Sequence, residues 1–393
     1  MIDPVELTRT LIQFRSVNPP GDEAACAEHL ANLLEDAGFD TALHTFGEKR
    51  VNVVARRGCS GDRSTPPICF TGHLDTVPIG AASWSFDPFA GEVRDGRILG
   101  RGSSDMKAGV AAMVVAATEL ADRVDEGPGV LLVLTGGEET GCEGATFLAG
   151  HDGVLGEAGA IIVGEPTGNQ PRVGHKGALW LAASCTGRTA HGSMPDLGVN
   201  AIYRGMTMLE KLKDFGFNQK PHDGLGSPTL NVGRVNGGMN INSVPDLIEF
   251  GVDIRTTPGM VHDKLFHDIN RYLEPELDRL DRLVDLESVW TSPNDPWMQQ
   301  AIALLAPPEK PEPAKGVPFF TDASILKPAF GNVPTLILGP GETHMAHQVD
   351  EYCRIDRLLE AVEIYKQLIL CWNQFGAYMT HTRSEAPTIQ KSS

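Results

Sequence analysis

Val130-Leu131-Leu132-Val133-Leu134-Thr135-Gly136-Gly137-Glu138-Glu139-Thr140-Gly141 reads as an apolar strand that runs into a glycine-flanked loop and delivers two consecutive glutamates. Open α/β sheets build their sites at the C-terminal ends of their strands. Adjacent residues of an extended chain point to opposite sides, so the two carboxylates cannot easily share one task. One can ligate a metal while its neighbour handles a proton, the division of labour that metal-assisted hydrolysis needs.

Three more segments extend the pattern. Cys69-Phe70-Thr71-Gly72-His73-Leu74-Asp75 is a strand followed by His-x-Asp. Gly100-Arg101-Gly102-Ser103-Ser104-Asp105-Met106-Lys107 is a loop opening a helix. Ile161-Ile162-Val163-Gly164-Glu165 is again a strand ending in an acid. A late pair of histidines stands in Glu342-Thr343-His344-Met345-Ala346-His347-Gln348-Val349-Asp350-Glu351.

The 393 residues are too many for one compact core, so two domains are expected. No apolar run is long enough to span a membrane. The first residues have neither a basic segment nor an apolar core, so no secretory signal is expected. Seven cysteines, an odd count without a CxxC pair, suggest reduced thiols and a cytoplasmic location. A net charge of -18 argues against nucleic acid or an anionic membrane as partner.

Periodicity places strands at Val51–Ala55, Ile68–Thr71, Val130–Leu134 and Ala160–Val163. Helices are expected at 22–37 and Met106–Ala121, and a hairpin at Glu92–Leu99 turned by Asp95-Gly96. The rhythm changes near Gly177. Strands at Ala178–Cys185, Thr229–Val235, Leu247–Arg255 and Leu283–Val289 alternate with helices at Val199–Asp214 and Pro258–Leu273. That β-α-β-β-α-β order is ferredoxin-like. The earlier style resumes with a helix at Pro296–Leu305, a strand at Thr335–Leu338 and a helix over 355–375. The expected organisation is therefore α/β: a domain with a parallel or mixed sheet and helices, over 1–176 and 291–380, interrupted by an α+β domain over 177–290. Residues 381–393 read as a mobile tail.

His and carboxylate donors without cysteine suit zinc, cobalt or manganese. His73, Asp105, Glu139, Glu165 and His347 are five ligand side chains. That is too many for one four-coordinate zinc that also holds water, and right for two metals sharing a bridging carboxylate. Asp105, between the others in sequence and just before a helix, is the best bridge. Asp75 can accept the second imidazole N–H of His73 and fix its orientation. Glu138 is then free as general base toward water.

These segments resemble the zinc aminoacylase and carboxypeptidase family that includes acetylornithine deacetylase, succinyl-diaminopimelate desuccinylase and carboxypeptidase G. The matching stretches are Gly72-His73-Leu74-Asp75-Thr76-Val77-Pro78, Gly102-x-x-Asp105-Met106-Lys107-x-Gly109, Glu138-Glu139-x-Gly141, Gly164-Glu165-Pro166-Thr167 and Ala346-His347-x-x-Asp350-Glu351. Their order and spacing hold over nearly the whole chain. The resemblance implies a zinc-exopeptidase-like catalytic domain with a mixed sheet flanked by helices, an inserted lid and dimerisation domain, and a homodimer formed through the latter. It implies two Zn²⁺ per subunit, with Co²⁺ or Mn²⁺ as substitutes: His73 and Glu165 on one, Glu139 and His347 on the other, Asp105 bridging, and Glu138 as base. His191, in Thr189-Ala190-His191-Gly192, is similar to a histidine that steadies the oxyanion in the partner subunit's site. Arg255 and Asn242 resemble contacts to the substrate carboxylate, Arg255 having the fork geometry for it. Lys176 near the domain junction and the backbone at Gly339 complete the substrate-binding candidates.

Each feature has a plainer reading. Glu138-Glu139 alone would be a solvated turn, Asn240 and Asn242 turn formers, and Arg255 a surface residue. His344 competes with His347, and the Ala-His-x-x-Asp-Glu match favours His347. The functional expectation is a di-zinc amidohydrolase of N-acyl amino acids, nearest to acetylornithine deacetylase. A desuccinylase, a dipeptidase or a glutamate carboxypeptidase are alternatives. An inactive metal-stabilised binding protein is disfavoured, since a structural site has no use for the spare base Glu138.

Overall fold

The computed structural model describes residues 2–58, 65–125, 127–305 and 315–384. The chain divides into two compact units. Met1–Gly174, Thr291–Ala314 and Thr321–Ser393 form the first, and His175–Trp290 with Lys315–Phe320 the second.

The first unit is built on a six-stranded mixed sheet. Its order is Asp40–Gly47, Arg50–Arg57, Val130–Thr135, Ile68–His73, Ala160–Val163, Thr335–Ile337. The last four run parallel, and the first two join antiparallel at one edge. The four parallel strands are buried along their whole length. Parallel strands covered on both faces read as continuous apolar runs, which is why they stand out in the sequence. Ala108–Glu119 is a helix of small and apolar residues buried over its first ten. It packs against the helices Pro4–Gln13 and Ile355–Ser384. Pro4–Gln13 opens on Asp3, whose side chain accepts the Val5 N–H at 2.8 Å, a typical N-cap.

Helix Ile355–Ser384 takes in the first four residues of the stretch expected to be a mobile tail, and 385–393 lie outside the described residues. The edge strand Asp40–Gly47 and the helix Glu143–Ala149 have no counterpart in the sequence-based expectation.

The second unit has a four-stranded antiparallel sheet in the order Thr229–Gly237, Leu247–Thr256, Gly177–Thr186, Arg279–Leu286. Helices Ala201–Lys213 and His262–Leu273 complete the ferredoxin-like pattern. Leu179, Leu181, Phe250 and Ile254 from the sheet pack with Met208, Leu212, Leu265 and Ile269 from the helices. Asn200 caps the first helix by accepting the Tyr203 N–H at 3.2 Å. The last strand starts four residues before the expected Leu283, because Leu280 is a single apolar residue between Arg279 and Asp281 and makes no apolar run. Lys315–Phe320 also belongs here. Gly316 N–H donates to Gly224 at 3.0 Å, and Phe320 stands edge-on to Trp180. No helix of the described residues is long and apolar enough to cross a membrane.

Candidate active site

Strand order brings the first residues together. Ile68–His73 lies between Val130–Thr135 and Ala160–Val163. Its final residue, His73, therefore leaves the sheet flanked by the Glu138-Glu139 loop on one side and Glu165 on the other. Asp105 arrives from the turn Ser103–Lys107, where Gly102 takes φ 85° and Asp105 and Met106 are non-helical. The helix consequently starts at Ala108, two residues after the expected Met106. A Cβ on Gly109 would lie 2.1 Å from the Gly164 carbonyl oxygen. Glycine there lets this helix lie directly against the backbone that carries Glu165. His347 comes from the late loop with φ 61°.

Asp105 sits at the centre. Its Oδ1 lies 3.1 Å from His73 Nε2, and its Oδ2 lies 3.5 Å from His347 Nε2. Glu165 Oε1 is 3.8 Å from the same His73 nitrogen, and Glu139 Oε2 is 3.0 Å from the same His347 nitrogen. One carboxylate thus faces two histidines with different oxygens, and each histidine is accompanied by one glutamate. Donor atoms of His73, Asp105 and Glu139 all lie within 4.8 Å of one another. His73, Glu138 and Glu165 are buried, whereas the His347 side chain is 53% exposed. His344, its competitor, stands against the ring of Tyr352.

Asp75 performs a different task from the expected one. His73 Nδ1 meets the backbone carbonyl of Asp75 at 2.9 Å, while the nearest carboxylate oxygen is at 3.6 Å. The carboxylate instead accepts the Glu138 N–H at 3.2 Å, the Glu139 N–H at 3.3 Å and the Asn18 amide at 2.8 Å. Asp75 therefore orients His73 through its main chain and fixes the acid pair through its side chain.

The electrostatics of this group are unfavourable without a cation. Burial, followed by repulsion from Glu165, Glu139 and Asp322, pushes Glu138 well above the ordinary carboxylate range despite His73. Burial and the charges of Asp105, Glu139 and Asp322 do the same to Glu165. Asp105 is held low although burial opposes it, because the hydrogen bond and charge of His73, with His347 and Arg101, outweigh burial. Glu139 Oε1 is buried with no hydrogen-bond partner among the described residues. A buried acceptor of that kind costs free energy unless something binds it. The donors are imidazole nitrogens and carboxylate oxygens, which suit a divalent ion such as zinc, cobalt or manganese.

Several supporting residues escape a sequence reading. Asn18 is buried between Asp75 and Thr140, at 2.8 and 2.9 Å. Asp322 is buried behind the loop, bonded to the Thr135 hydroxyl, and burial pushes it up to about 6. Glu351 is buried under the Asp105 turn, and burial pushes it up to about 7 despite Arg101. Glu351 is the one with a signal, since it closes the Ala-His-x-x-Asp-Glu stretch. Gly339, a substrate-binding candidate, lies beside the Glu165 loop. Its N–H donates to the Thr167 hydroxyl at 3.2 Å and its carbonyl accepts the Asn169 N–H at 2.9 Å.

His191, Lys176, Asn242 and Arg255 belong to the second unit. His191 is exposed, its Nδ1 2.8 Å from Ser193 Oγ. The Asn242 carbonyl accepts the Gly192 N–H at 2.7 Å. Lys176 Nζ donates to the Ser227 carbonyl at 2.6 Å. Arg255 pairs with Asp253 at 2.9 Å and lies over the Phe320 ring, with Nη1 buried and lacking a partner among the described residues. Burial and the neighbouring Arg255 charge lower the Lys176 amine. Another cluster there, His262, Asp285 and Glu287, is already satisfied: Arg282 pairs with Asp285 at 2.8 Å and Thr256 bonds His262 at 2.8 Å.

A buried carboxylate group flanked by histidines at the end of parallel strands is the arrangement of a metal-dependent hydrolase acting on amide bonds, and comparison with known proteins gives that class. Residues 69–370 match the model of Peptidase family M20/M25/M40, and the chain belongs to that family. It is 31% identical to a probable succinyl-diaminopimelate desuccinylase of Staphylococcus epidermidis, over 96% of this chain and 98% of that protein. It is 32% identical to an acetylornithine deacetylase of Proteus mirabilis, over 93% of this chain and 95% of that one. An M20 family metallo-carboxypeptidase from Sulfolobus solfataricus superposes with a TM-score of 0.79 at 19% identity, covering 95% of this chain and 100% of the other.

Proposed function

We propose that this chain is a di-zinc deacylase of N-acyl amino acids, with the metals held by His73 and Glu165, by Glu139 and His347, and by Asp105 between them. The observation that carries the reading is Asp105, whose two oxygens face two different histidines. Co²⁺ or Mn²⁺ would satisfy the same donors. When bound, the metal pair supplies Lewis acidity toward the amide carbonyl and toward water. Glu138, buried next to these donors, takes the proton from the attacking water and passes it to the leaving amine. Asp75 holds the Glu138 main chain in place for this transfer. Family resemblance supports His191 as the group that steadies the oxyanion.

An acetyl group is one candidate for the acyl portion. A succinyl group is supported equally, because the desuccinylase and deacetylase relatives match with similar identity and coverage. Assay of N-acetyl, N-succinyl and N-formyl amino acids and of dipeptides, with zinc or cobalt added, separates these readings. Turnover confined to dipeptides would replace deacylase by dipeptidase.

Arg255 is the proposed partner of the substrate carboxylate, and its buried Nη1, without a partner among the described residues, supports this. Arg255→Ala should lower the preference for an N-acyl amino acid over its amide by about 10–100-fold, the value of a hydrogen bond to a charged group. Kinetics on the acid and amide forms of one substrate check it. An unchanged preference would move the carboxylate site to Asn242 or Lys176.

A homodimer through the second unit is also proposed. Tyr203, Met206 and Val235 are exposed there, and Thr229–Gly237 is an edge strand of its sheet. Exposed apolar side chains and an open strand edge invite pairing. His191→Ala and Glu138→Gln homodimers should each be nearly inactive. Mixing them under subunit exchange should restore about a quarter of wild-type activity if His191 serves its partner's site. No recovery in demonstrated heterodimers would refute service across the dimer.

A further inference from the structure

We infer that Glu351 is the positioning residue for Asp105: its carboxylate grips the backbone of the turn from which the Asp105 side chain faces His73 and His347. The inference rests on the metal reading proposed above. Glu351 Oε1 accepts the N–H groups of Ser104 at 2.8 Å and Asp105 at 3.1 Å. Its Oε2 accepts the Gly102 N–H at 3.0 Å and Arg101 Nη1 at 2.5 Å. Four donors fill the acceptor capacity of one carboxylate. Glu351 is fully buried and Arg101 is 2% exposed, so none of these bonds is exchanged with water at little cost.

The turn needs such a grip. Asp105 and Met106 have non-helical dihedrals, φ -119° and -135°. The Asp105 N–H lies ahead of the helix that starts at Ala108, where backbone donors have no intrahelical carbonyl, and Glu351 takes it. Glu351 also stands four residues after His347. One stretch of chain thus fixes the main chain of Asp105 at one end and presents an imidazole to its Oδ2, 3.5 Å away, at the other. Glutamine at 351 would turn an NH₂ group toward backbone N–H donors. It would also leave the Arg101 charge buried without its counter-ion.

A role in fold stability alone would lower the melting temperature of the metal-free protein and leave its metal affinities unchanged. A positioning role changes the affinities of a folded protein. The test is titration of metal-free wild type, Glu351→Gln and Glu351→Asp with Co²⁺ well below their melting temperatures, with the cobalt absorption spectrum recorded alongside. Both affinities in Glu351→Gln should fall by about 10–100-fold, the usual effect of losing a residue that orients a ligand. The cobalt spectrum should change, and Glu351→Asp should lose less. If Glu351→Gln does not fold, Glu351→Asp carries the test with the same criterion. Wild-type affinities and spectrum in a folded variant would overturn the inference. A wild type that binds fewer than two ions would overturn the metal reading itself, and the positioning role with it.

Discussion

Glu138→Gln should retain two metal ions per chain and lose turnover by about 10²–10⁴-fold, the usual contribution of a general base. The amide is isosteric with the acid but cannot accept a proton. Among the described residues no histidine nitrogen pairs with Glu138, whereas Glu139 meets His347 at 3.0 Å and Glu165 meets His73 at 3.8 Å. Its main chain is anchored to Asp75 and not to the histidines. A residue free of ligand duty can lose its charge without releasing metal. Metal analysis of the purified variant, next to its kcat, checks both halves of the expectation. Loss of one ion would mean that the acid pair is assigned in the wrong order.

Asp105→Ala should weaken both metal sites at once and reduce activity to background. A carboxylate shared between two ions also screens them from each other, so its removal costs more than the 10–100-fold typical of outer partners. His347→Ala should instead affect mainly one ion, because His347 lies beside Glu139 and on only one side of Asp105. Zinc titration of the two metal-free variants, compared with wild type, gives the number and affinity of the sites. Two tight sites surviving in Asp105→Ala would defeat the shared-ligand geometry.

The buried half of this fold was legible in the sequence, and the reason is physical. Ile68–His73, Val130–Thr135 and Ala160–Val163 are central parallel strands, buried along their length, so each carries an apolar run that stands out in the sequence. Asp40–Gly47 was missed because it is an edge strand with only half of its side chains partly covered, and its polar sequence carries no apolar run. His73, Asp105, Glu139, Glu165 and His347, which the structure brings together, could be singled out because they stand at or just beyond strand ends and in the turns between elements. Their pairing could not be derived from periodicity, since it depends on the order of strands across the sheet. Asn18, Asp322 and Glu351 act on residues 57, 187 and 246 positions away, and such partners leave no local pattern. For Asp75 the difference is one of atoms within a local pair: the backbone oxygen, and not the carboxylate, meets His73. Lys315–Phe320 joins the second unit through Gly316 and Phe320, across an interval of about ninety residues or more in sequence, which local reading does not reach.

Anomalous diffraction from zinc-loaded crystals of the wild-type protein tests the central claim most directly. Two peaks per chain are expected, one against His73 and Glu165 and the other against Glu139 and His347, with Asp105 touching both and Glu138 ligating neither. A single peak, or a peak ligated by Glu138, would contradict the account.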